Sequence, residues 1–204
     1  ASVLYGTDAI GGVVQLVSKT PEKNSAFVTG EIGENSTYKT LVGADLAENG
    51  FYAQIRGQHL ETDGTPVKDS KNAPDAAFDQ TGYSAKFGVE KEKYALSLDY
   101  SENEGNSQYD NYGAVANQDF KNEIVNIKGR VNLAPSVEVN ARVSQFKDDI
   151  DQNDLNYLGT YDFVHSTTQE AELYGKWQFT PSQNILLGTT YQNIDGDVIS
   201  WGSP

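Results

Sequence analysis

His59 and His165 are the only imidazoles in this chain of 204 residues, which has no cysteine. Nucleophilic catalysis of the Ser-His-Asp or Ser-His-Asn kind would have to recruit one of them. Both lie near the ends of hydrophobically alternating segments, and with so many Ser and Asp present a chance pairing is expected, so the chain is not read as an enzyme. Two imidazoles without a thiolate are also too few for a transition-metal site. Asp148, Asp149, Asp151 and Asp154 have spacing like a calcium loop. The run lacks the glycine at the sixth position and the terminal glutamate that such a loop requires, and reads as solvated loop. Gly6, Gly11 and Gly12 do not make a phosphate loop, because no Lys-Ser/Thr comes after them.

Composition narrows the classes further. The formal charge is −14 (15 Lys and Arg against 29 Asp and Glu), which argues against a nucleic-acid partner, since phosphates select clustered cations. No run approaches the roughly 18 apolar residues of a membrane helix. A mean hydropathy of −0.56 does not exclude a membrane barrel, because a spanning strand needs only about ten residues with every second one apolar.

The elements that would position any site are strands. Gly11 to Lys19 reads as a short strand ended by Thr20-Pro21. From Ala26 onward the hydrophobic period is two. Tyr38, Val42 and Leu46 share one face, as do Phe51, Ala53 and Ile55. The same holds for Tyr83, Phe87 and Val89, for Tyr94, Leu96, Leu98 and Tyr100, and for Val125, Ile127, Val131 and Leu133. Val137, Val139 and Val143, then Leu173, Trp177 and Phe179, then Ile185, Leu187 and Tyr191 complete the series. Arg56, Lys86, Glu90, Asp99, Lys128, Arg130, Glu138, Arg142 and Lys176 all fall on the opposite face. A charge turned toward lipid would cost about 2–4 kcal/mol near a bilayer midplane.

Tight turns at 48–50, 92–93, 134–136 and 180–182 alternate with long polar connections at 62–80, 105–119 and 150–164. That alternation suits the periplasmic turns and extracellular loops of a barrel. A soluble β-sandwich would pair its apolar faces and has no reason to place its long loops at one end. Aromatics such as Tyr38, Phe51, Tyr83, Tyr94, Tyr100 and Phe179 stand toward strand ends on the apolar face, where interfacial girdles form.

Tyr5-Gly6-Thr7-Asp8-Ala9-Ile10-Gly11-Gly12-Val13-Val14 resembles the segment that closes the plug of TonB-dependent outer-membrane receptors. The rest of the chain resembles the first strands of their barrel. The resemblance implies an all-β chain: a partial transmembrane antiparallel β-barrel of about nine strands (23–204), preceded by the last segment of a plug domain (1–22). Barrels of this family close with twenty-two strands, so the chain is expected to be a piece of a longer receptor. The implied function is active import of a scarce nutrient complex across the outer membrane of a Gram-negative bacterium. Implied partners are outer-membrane lipid, the small-molecule nutrient complex, and the TonB complex through an N-terminal segment not in this sequence. A plugless passive porin and a soluble sandwich binding module are the alternatives from other classes.

Within the family, His59-Leu60-Glu61-Thr62-Asp63-Gly64, Asp79-Gln80-Thr81-Gly82-Tyr83-Ser84-Ala85-Lys86 and Tyr109-Asp110-Asn111-Tyr112 look most like vitamin B12 (cobalamin) receptors. A ferric-siderophore receptor is the second reading, and these Arg-poor acidic loops disfavour it. The cobalamin resemblance implies a calcium-binding aspartate cluster, carried here by Asp63, Asp79, Asp110 and Asp119 with Asp75 nearby. Thr81 stands where that pattern has a further aspartate. Calcium takes six to eight oxygens and would relieve the repulsion between such carboxylates.

Overall fold

The computed structural model describes residues 20–66, 75–111, 114–154 and 161–200. Most of the expected plug segment, and the strand read over Gly11 to Lys19, lie outside these residues. Nine strands run in chain order: β1 (Ser25–Ile32), β2 (Tyr38–Glu48), β3 (Phe51–Thr62), β4 (Phe78–Glu90), β5 (Tyr94–Asn111), β6 (Ala114–Ala134), β7 (Val137–Asp154), β8 (Tyr161–Thr180) and β9 (Gln183–Ile199). They form one sheet in sequence order, with every neighbouring pair antiparallel. Among the described residues the sheet is not closed: β1 and β9 are its edges.

The tight turns lie where the sequence puts them, all at one end of the sheet. Asn49 (φ 51°) and Gly50 (φ 79°) occupy the left-handed region, as a two-residue type I′ hairpin turn requires. The β6–β7 and β8–β9 turns repeat one solution: Pro135-Ser136 and Pro181-Ser182 each come after a register shift, at 132–134 and 178–180. Proline fixes φ in the turn, and the extra residue, Leu133 or Phe179, is accommodated as a bulge.

The opposite end departs from the sequence reading. The polar stretches 105–119 and 150–164 are mostly strand. β5 and β6 pair continuously up to Asn111 and Ala114, and β7 and β8 up to Asn153 and Tyr161. Asp148, Asp149, Asp151 and Asp154 therefore belong to β7. Backbone donors and acceptors in these stretches are satisfied by the ladder, so the strands continue where the first phase of apolar alternation ends. Strands of 17–21 residues reach about 55–70 Å along the chain, far more than the roughly 10 residues needed to cross a bilayer.

Nothing among the described residues covers either face. Among the described residues Ala116 is the only buried hydrophobic side chain, and no polar side chain is buried. The chain exposes 14234 Å², about half as much again as the roughly 9,400 Å² expected of a compact monomer of this mass. Tyr94, Leu96, Leu98 and Ile127 form part of a wide apolar face that no other layer of the described residues meets.

The two faces differ in crowding, apart from Gly196 on the edge strand β9, a polar-face glycine whose Cβ would meet nothing closer than 3.7 Å. On the polar face a Cβ at Gly43 would meet the Phe27 ring at 2.5 Å, and one at Gly105 would meet Phe120 at 2.7 Å. One at Gly188 would meet Tyr174 at 2.7 Å, and at Gly88 the Tyr52 hydroxyl occupies the space. On the apolar face a Cβ at Gly129 or Gly175 meets nothing closer than 3.9 Å, and Gly30 faces open space. Gly57, 3.2 Å from Val42, is the tightest on that side. Side chains crowd on the inside of a curl and splay on its outside, and glycine opposite a large ring relieves the crowding. The sheet therefore curls toward its polar face and carries the apolar face on the convex side.

Candidate functional site

The convex apolar band does not run parallel to the hydrogen-bonded rows. One row joins Tyr38, Glu61, Asp79, Asn106, Asp119, Asp151, Phe163 and Ile199 across β2 to β9. On β2 the apolar run reaches Tyr38 itself. On β9 it stops at Tyr191, eight residues short of Ile199. Eight residues are about 27 Å along a strand, and seven strand spacings are about 34 Å across, a slope near 40°. Barrel strands tilt from the barrel axis by 35–45°. A band level with a membrane plane has to cross tilted strands at that slope. From Val125 to Leu133 the band covers about 27 Å of β6, hence about 21 Å along such an axis, close to the roughly 25 Å apolar band of outer-membrane barrels.

At the level of this band the concave face is ion-paired. Arg56 meets Asp45 at 2.7 Å, and its guanidinium lies over the Phe27 ring at 5.0 Å. Lys86 approaches Asp99 at 3.8 Å. Arg142 bridges Glu170 and Glu172, the latter at 3.3 Å. Glu138 is in register with Lys176 and accepts from the Asn140 amide at 2.8 Å. The charges expected on the polar face are there, paired with one another across neighbouring strands.

Beyond the band, on β5 to β9, the pattern inverts. The convex face now carries Glu102, Glu104, Asp119, Glu123, Asp149, Asp151, Asp195 and Asp197 against Lys121 and Lys147. Lys121 bridges Glu102 at 3.1 Å and Glu104 at 3.6 Å, and Lys147 lies 3.7 Å from Glu123. The concave face carries two apolar rows, Ile124–Phe146–Thr168–Ile194 and Phe120–Ile150–Val164–Val198. Between them runs a polar row, Asn122–Asp148–Ser166–Gly196, in which the Asn122 amide donates to Asp148. Phe120 also stacks on Phe78 across Gly105, with ring centroids 6.0 Å apart. Sequence reading missed this surface. Its signal is an alternation that continues with its phase reversed, Ile124 and Phe146 falling where Val125 and Val143 had set the opposite face.

The aspartates of the expected calcium cluster are partly brought together. Asp79 and Asp119 share a row and flank Asn106, whose amide donates to Asp119 at 2.6 Å. Two strand spacings, about 10 Å of backbone, separate them. Asp110 lies four residues farther along β5. The Asp63 amide donates to the Asn35 carbonyl at 3.0 Å, and Asp75 bridges Pro66. Among the described residues no three carboxylate or imidazole groups stand close enough together to hold one metal ion.

Each histidine sits on the convex face beside a carboxylate. His59 Nδ1 is 2.8 Å from the Thr81 hydroxyl, and Nε2 is 3.5 Å from Glu61. His165 Nε2 is 2.8 Å from Asp151, and its ring stacks on Phe163 at 4.4 Å. The Thr81–His59–Glu61 order is that of an activated nucleophile. Thr81 is mid-strand between β3 and β5, where backbone N–H groups are spent on the ladder. No protein-family model, curated protein or solved structure matches the chain.

Proposed function

We propose that these nine strands are part of the wall of a transmembrane β-barrel in a Gram-negative outer membrane, convex face to lipid and concave face to the lumen. The observation that carries this reading is the convex apolar band that drifts against the strand register at the slope of a tilted barrel wall. A sandwich or a soluble barrel would turn the same residues inward. β1 and β9 run in the same direction, because an even number of antiparallel steps separates them. Closing an all-antiparallel barrel therefore takes an odd number of further strands, and a wall with lipid on one side tolerates no open edge.

On the resemblance at residues 5–14, the barrel belongs to a TonB-dependent importer, with cobalamin as the nutrient and a ferric siderophore as the second choice. The ion-paired concave wall supports a polar lumen lining.

Absence of native cysteine makes the wall directly testable. In the full-length protein in proteoliposomes, Leu98→Cys and Val143→Cys are expected to resist a membrane-impermeant maleimide, while Ser97→Cys and Ser144→Cys react. Labelling of the first pair as fast as the second would end the barrel reading. The substrate is tested separately, by cyanocobalamin binding to the full-length receptor in detergent with and without a calcium chelator. Tight binding is expected, and weakening on chelation would show that the loop aspartates hold calcium in the full-length receptor. Binding indifferent to chelation would remove the calcium role, and no binding in either condition would move the assignment to siderophores.

A further inference from the structure

We draw no further inference here: the strongest candidate, the concave apolar patch that Phe120, Ile124, Phe146, Val164, Ile194 and Val198 form on β6 to β9, carries none because nothing among the described residues shows what covers it.

Discussion

Lysine in place of Ile55 is expected to destabilise the folded protein in lipid by about 2–4 kcal/mol, while lysine in place of Gln145 costs close to nothing. The two positions belong to one hydrogen-bonded row, which runs Ala44, Ile55, Ala85, Tyr100, Val125, Gln145, Gln169, Asn193. Both side chains point to the convex face. They differ only in height: the apolar band includes the row on β3 and has dropped below it by β7. An untilted sheet lying in or on a membrane would treat the two substitutions alike. Urea unfolding of the full-length protein in phospholipid vesicles, followed by tryptophan fluorescence, reads the difference. Equal losses would show that the register slope has nothing to do with a bilayer, and the membrane assignment would lose its main support.

Much of the sheet was legible in the sequence because two independent signals coincide there. Leu96, Leu98 and Tyr100 alternate with Ser97 and Asp99, and Asn49-Gly50 is a turn whose chemistry fixes the pairing of the strands beside it. The upper strands were illegible for a physical reason. Beyond Tyr100 the alternation persists as Glu102 and Glu104 against Ser101 and Asn103, polar on both faces, and a hydrophobic periodicity has nothing to register. Pairing with β6 and β7 brings in Ile124 and Phe146, which cover the concave side, and that depends on register rather than on local spacing. The aspartates illustrate the converse. Asp79 and Asp119 are 40 positions apart in sequence yet share a row, whereas Asp110, much nearer Asp119 in sequence, lies away from that row along β5. Spacing alone could nominate these carboxylates but could not sort them. The glycine–aromatic contacts are of the same kind, since Gly105 and Phe120 meet only because β5 and β6 pair as they do.

Those contacts give the second large effect. Gly105→Val is expected to cost about 2–4 kcal/mol, and Gly175→Val to lie within about 0.5 kcal/mol of the parent or slightly above it. A side chain at 105 would run into the carbonyl oxygen of Asp79 and into the Phe120 ring at 2.7 Å. The carbonyl belongs to the ladder and cannot retreat without breaking it. Phe120 could turn away only by giving up its stack on Phe78. At 175 the nearest atom is the Glu138 carbonyl oxygen at 3.9 Å, and a valine there adds apolar surface to the convex face and favours extended backbone. Adding Phe120→Ala to Gly105→Val should recover part of the loss, a coupling that a double-mutant cycle isolates. A sheet curled the other way would reverse the order, with 175 crowded and 105 open. Equal costs at the two glycines would mean a flat sheet, and a flat sheet cannot form the wall of a barrel.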